Sequence, residues 1–280
     1  MEVTKHIGFS KEMHHGLWTY ICQNNIPVDQ TDGEDVAAID ILTSDPHWPW
    51  ISEYMIKTKL TCLSDMIFSK EELQEAQWMR VRSIWRTGYP QPEDCYKYET
   101  ITYTRDHYCC HCGVGLEQID AFRIKRVPSW GRRHFFSLYW IEDEFFVSDL
   151  AKNAMQDAGI TGITFRDVKN ASGKQIYTGI QQLSIPTVLE EGLVESDTFI
   201  RSIRVCPECG TKKYLLNGSN KMIFRKEIFE KAPDVVKTAE FFGGMPKAAG
   251  RRILISQRTY RAIVDNHLDR SLLFYPIELG

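Results

Sequence analysis

The chain has 280 residues, 34 basic and 37 acidic, for a formal charge of −3, and 43% of it is hydrophobic. That much apolar material builds a core without disulfides, and the near balance of charge excludes a whole-molecule field drawing the chain to nucleic acid or anionic membrane. No run reaches the roughly 18 apolar residues of a membrane span, and Met1–His6 leads into Lys11, Glu12, His14 and His15 rather than a signal-peptide core. The expectation is a cytoplasmic protein with no membrane partner.

Residues 1–98 form a first region. Within it Phe68-Ser69-Lys70-Glu71-Glu72-Leu73 carries a capping box, Ser69 with Glu72, and a staple, Phe68 against Leu73. At about 100° per residue Leu73, Ala76, Trp78, Val81, Ile84 and Trp85 share one half of a helix, which predicts an amphipathic helix over about 69–87. Gly88 and the prolines of Tyr89-Pro90-Gln91-Pro92 close it. The histidines of His47-Trp48-Pro49-Trp50 and His14-His15 lack neighbouring nucleophiles, so the first reads as aromatic packing and the second as a solvated turn.

Residues 99–280 read as two copies of one unit, about 99–200 and 201–280. Each opens on a Cys-x-x-Cys-Gly segment, Cys109-Cys110-His111-Cys112-Gly113 and Cys206-Pro207-Glu208-Cys209-Gly210. Each closes on a strand, a serine-capped helix and a strand: Phe146-Val147-Ser148 to Gly162-Ile163-Thr164-Phe165, and Leu254-Ile255-Ser256 to Leu272-Leu273-Phe274. A helix joining two parallel strands is the expected geometry. The fold class is α+β, an internally duplicated zinc-knuckle and strand-helix-strand domain behind an N-terminal α-containing region.

Paired thiolates two residues apart, each followed by a glycine free to take positive φ, form a metal knuckle. Two knuckles make a tetrahedral all-thiolate site, so Cys109, Cys112, Cys206 and Cys209 are expected to hold one structural zinc ion. Four thiolates leave no position for water, so the ion is not expected to catalyse. Cys22, Cys62 and Cys95 lack mates at metal spacing and receive no role.

Arg123, Lys125, Arg126, Arg132 and Arg133, interleaved with Phe122, Trp130, Phe135 and Phe136, form the local patch that could contact phosphates and stack bases. Strand alternation also explains it as a solvated face, so nucleic acid is disfavoured. Glu142, Asp143 and Glu144, with Glu190, Glu191 and Glu195, are candidates for steering toward a basic partner.

With both knuckles, the two serine-capped units, Gly159-Ile160-Thr161-Gly162-Ile163-Thr164-Phe165 and the terminal Leu272-Leu273-Phe274-Tyr275-Pro276-Ile277-Glu278-Leu279, residues about 99–280 resemble the bacterial double-CxxCG-motif family. That family is associated with immunity to polymorphic toxins. The first knuckle departs from its pattern, reading Cys-Cys-His-Cys rather than Cys-Pro-x-Cys. The resemblance implies a cytoplasmic, non-enzymatic immunity protein that occludes a cognate toxin delivered by a competitor. A zinc-containing nucleic-acid-binding protein is the alternative.

Overall fold

The computed structural model describes residues 1–30, 35–141, 143–244 and 249–280. It is mixed α+β. Met1–Leu73, with Asp197–Phe199 and Asn217–Asn220, form one compact unit; Gln74–Ser196, Ile200–Leu216 and Lys221–Gly280 form a second. Among the described residues no helix is long and apolar enough to cross a membrane.

In the first unit, strand Glu2–Ser10 alternates, burying Ile7 and Phe9 between exposed neighbours. It lies between strands Val36–Leu42 and Leu63–Ile67, antiparallel to both. Helices His15–Gln23 and Trp48–Thr58 bury residues four apart, Leu17 with Ile21 and Ile51 with Met55. These side chains share one core with Ile39 and Ile41 of the sheet. Pro49 occupies the first turn of its helix, where no backbone donor is needed. Tyr20 stacks on Trp50 at 3.7 Å between ring centroids, and its hydroxyl lies 3.1 Å from His47 Nδ1. The packing role expected for the His47-Trp50 segment is thereby met.

The helix expected over 69–87 is corrected. Its start is as read, with Ser69 N–H donating to Glu72 Oε2 at 2.9 Å and Glu72 N–H to Ser69 Oγ at 3.2 Å. The helix spans only Lys70–Glu75, and the chain then runs as strand Trp78–Ser83. Trp-Met-Arg-Val-Arg-Ser buries alternate residues, Met79, Val81 and Ser83, and that period of two prevails over the helical one. The strand pairs with Ile253–Ser256 and Leu272–Pro276, nearly at the other end of the sequence. The break expected after residue 98 consequently falls at 73/74.

The second unit contains two four-stranded sheets of the same design. One runs Phe135–Phe136, Phe145–Val147, Gln181–Ser184, Thr164–Arg166, and every neighbouring pair is antiparallel. The other runs Val235–Lys237, Ile253–Ser256, Trp78–Ser83, Leu272–Pro276, again antiparallel throughout. In each sheet the second strand passes directly into a helix, Asp149–Asp157 or Gln257–Asp265. Ser148 Oγ caps the first by accepting from Ala151 N–H at 3.2 Å, and Ser256 Oγ caps the second by accepting from Thr259 N–H at 3.3 Å.

The strands either side of each helix are parallel in direction but are not hydrogen-bonded neighbours. This corrects the expected parallel pair: an antiparallel strand from elsewhere, Gln181–Ser184 or Trp78–Ser83, sits between them. The correspondence extends to two parallel two-stranded pairings, Lys169 with Arg123 and Asn170 with Ile124 in one half, Glu278 with Ile223 and Leu279 with Phe224 in the other. Ser148 N–H donates to His134 O at 3.2 Å, and Ser256 N–H to Asp234 O at 2.8 Å. Within the second unit Phe122, Phe136, Phe146 and Tyr98 share one core.

Candidate metal centre

Each cysteine pair sits on a tight turn. Gly113 N–H donates to Cys109 O at 2.8 Å, and Cys109 N–H to Val114 O at 2.8 Å. Gly210 N–H donates to Cys206 O at 2.9 Å, and Cys206 N–H to Thr211 O at 3.0 Å. Gly113 at φ 79° and Gly210 at φ 73° complete the turns in the left-handed region, which a side chain at either position would strain. The second turn lies in an antiparallel hairpin, strands Ile200–Val205 and Lys212–Leu216. The first lies between the short antiparallel strands Tyr103–Thr104 and Glu117–Gln118.

The four sulfurs converge although the pairs are far apart in sequence. Cys109 Sγ lies 3.7 Å from Cys206 Sγ and Cys112 Sγ 3.6 Å from Cys209 Sγ. All four lie within 4.8 Å of one another. A zinc–sulfur bond of about 2.3 Å in a tetrahedron sets sulfurs about 3.8 Å apart, whereas a disulfide requires about 2.05 Å. The spacing fits four ligands around one metal ion and no disulfide. Cys112 and Cys206 are buried, Cys109 is half-buried and Cys209 exposed. Among the described residues this is the cluster of metal-ligating side chains with that spacing.

Burial is the main force that pushes the Cys112 thiol up to about 12, while hydrogen bonding with Thr211, first through its side chain at 3.2 Å, lowers Cys209 to about 6. Lys213 was not singled out by the sequence. It is buried, 5% exposed, and its ammonium donates to Cys112 O at 3.3 Å. A cation there opposes the negative charge that four thiolates leave around a divalent ion. Lys213 and its neighbour Tyr214 are both buried, so no alternation along the strand singles the lysine out. Cys110 and His111 stand outside the cluster, each 3.8 Å from a carboxylate oxygen of Glu208.

No protein-family description and no curated protein matches the chain.

The acidic candidates separate. Glu142 lies outside the described residues. Glu144 is corrected from a surface contact to an internal one, because its carboxylate meets Lys237 Nζ at 2.5 Å and accepts from Gln182 Nε2 at 3.0 Å. Burial raises its pKa, and Lys237, itself 8% exposed, opposes that rise. Asp143 is half-buried, 3.7 Å from the same ammonium. Glu195 meets Lys212 at 3.0 Å and Tyr214 Oη at 2.8 Å. Glu190 and Glu191 are exposed, on a loop held from beneath by Glu240, whose Oε1 accepts from Gly192 and Leu193 N–H, both at 2.8 Å.

The basic candidates are largely engaged internally. Arg123 pairs with Asp120 at 3.2 Å, Lys125 with Glu93 at 2.8 Å, and the Arg133 guanidinium lies over the Trp85 ring at 4.2 Å. Arg126 and Arg132 are exposed.

Proposed function

We propose that the chain is an internally duplicated, zinc-clamped immunity protein that binds and neutralises a cognate toxin in the cytoplasm. The observation that carries the reading is the convergence of two knuckles, one from each half, on a single four-sulfur centre. Duplication is supported by the shared strand order, the shared register of the parallel pairs and the shared serine caps. Zinc is supported by the all-sulfur donor set and its tetrahedral spacing. The strand order suits copies bounded at about 74–180 and 181–280 rather than the 99–200 and 201–280 expected from the motifs: on that division each copy begins with one strand, Trp78–Ser83 or Gln181–Ser184, and lends it to the centre of the other's sheet. Exchange of strands and a shared ion both tie the halves into one rigid body.

A rigid body suits a protein that acts by presenting a fixed complementary surface. The exposed Glu190 and Glu191, on a loop pinned by Glu240, supply negative charge for a basic partner. The nucleic-acid alternative draws on Arg126 and Arg132, a smaller patch than the five residues suggest.

The test is capture of partners on the tagged full chain, from native cells or a toxin-producing relative, with and without nuclease treatment. A toxin domain retained at near-equal stoichiometry after nuclease treatment is the expected result. Recovery of nuclease-sensitive material alone overturns the immunity reading.

A further inference from the structure

The sheet of the first unit has one covered face and one open face. Residues paired across antiparallel strands share a face, so the register sorts them. Ile7 with Ile39 and Phe9 with Ala37 lie on the covered face, buried with Leu17, Ile21, Ile51 and Met55 of the two helices. The opposite face carries Glu2 with Ile67, Thr4 with Asp65, His6 with Asp40 and Leu63, Ala38 with Gly8 and Asp29, and Ser10 with Val36. Ala38 alone among these is buried.

The open face keeps aliphatic surface in water. Leu63 is 71% exposed, Ile67 51% and Val36 46%, which is unfavourable unless something covers them. A Cβ built at Gly8 would meet nothing within 4 Å, so the space above the middle of the sheet is free.

The charge there has one sign. Glu2, Asp29, Asp40 and Asp65 supply carboxylates, and among the described residues no lysine or arginine occupies a strand position on this face. His6, whose Nδ1 lies 2.7 Å from Asp40 Oδ1, is the titratable base among them, and Asp65 Oδ1 accepts from Met66 N–H at 3.0 Å.

These features select the occupant. Carboxylates repel the phosphates of nucleic acid and of anionic lipid, and these positions carry no aromatic ring to stack on a base. The same face of a second copy would meet it with like charge. Spread over separate rows, the carboxylates form no group at metal-ligand spacing among the described residues. Exposed aliphatic side chains set among carboxylates are complemented by a protein surface that carries lysine or arginine among apolar residues.

We propose that the helix-free face of this sheet is a docking surface for such a basic protein partner. The partner's apolar side chains cover Leu63 and Ile67, and its cations pair with Glu2, Asp29 and Asp40 around them. The surface and its chemistry do not depend on the partner being a toxin.

The test titrates the isotope-labelled full chain with three capped pentapeptides, Lys-Leu-Lys-Leu-Lys, Lys-Ser-Lys-Ser-Lys and Glu-Leu-Glu-Leu-Glu, following backbone amide shifts. The lysine-leucine peptide is expected to give saturable shifts centred on His6, Asp40, Leu63 and Ile67. The lysine-serine peptide is expected to bind at least about tenfold more weakly, and the glutamate peptide not to bind. Leu63→Ser/Ile67→Ser should weaken the lysine-leucine peptide at least about tenfold, and Asp29→Asn/Asp40→Asn at least about threefold. All four side chains are exposed, so both variants should unfold near the wild-type midpoint. If either variant fails to fold, the peptide comparison and the map of shifts decide. Equal binding of either control peptide, shifts centred on the Glu190 and Glu191 loop or elsewhere, no saturable shifts at millimolar peptide, or unchanged binding by the folded variants overturns the proposal.

Discussion

The four thiols at the candidate centre are chemically unequal, with Cys112 held up to about 12 chiefly by burial and Cys209 drawn down to about 6 chiefly by Thr211. A metal must displace the proton from each protonated thiol, so affinity falls as pH falls. The fall is expected to be steepest below about 6, where Cys209 too is protonated in the metal-free protein. A competition titration with a colorimetric chelator across pH checks this; affinity independent of pH contradicts it. Substituting Cys112→Ser removes a buried ligand and should abolish tight binding, whereas Cys110→Ser and His111→Ala, outside the cluster, should leave metal content unchanged.

Glu144 and Lys237 illustrate a residue role that sequence does not disclose. Ile141-Glu142-Asp143-Glu144 reads as a soluble acidic loop, and only the fold brings Lys237 against Glu144. The variant Lys237→Met strands a buried carboxylate and should cost about 3–5 kcal/mol in urea unfolding. The double variant Glu144→Gln/Lys237→Met should recover most of that. A single-variant loss below about 1 kcal/mol would show the pair to be solvated.

Among elements, those specified by neighbouring residues were legible. Ser148 and Ser256 were recognisable because a cap is written within four residues of its helix. Each serine-to-alanine change should cost about 1 kcal/mol, measured by denaturant midpoint. The cysteine knuckles were legible for the same reason. Strand Trp78–Ser83 was not, because its partners lie near the C-terminus and a valid capping box stands just before it. The interposed central strands of both sheets escaped for the same physical reason, their pairing being entirely long-range.

Asp234 extends the cap of the second helix. Burial alone would raise its pKa, but hydrogen bonds from Thr161 and Ser256, with Arg258 nearby, outweigh it and leave the net shift downward. A lowered folded pKa contributes stability above the unfolded value of 3.8, lost as pH falls through the folded value. Asp234→Asn should therefore destabilise the protein at neutral pH and flatten its stability profile below about pH 4. Parallel profiles for variant and wild type would contradict the assignment.

On the proposed division at 180/181, the second unit's two four-stranded sheets each take a central strand from the other piece, Gln181–Ser184 in one and Trp78–Ser83 in the other. Residues 74–180 and 181–280, expressed apart, are expected to be unfolded singly and to gain structure when mixed with zinc, by circular dichroism. Independent folding of either piece would contradict the exchange. Strand Trp78–Ser83 lies upstream of both cysteine motifs yet belongs to the second unit, which is why that unit begins before the region the motifs mark.

The most direct measurement is native mass spectrometry of the full chain, purified without added metal, beside a variant with Cys109, Cys112, Cys206 and Cys209 all changed to serine. One zinc ion per wild-type chain and none on the variant is the predicted result. No metal on the wild type, or one ion retained by the variant, would contradict a single zinc clamp shared by the two halves.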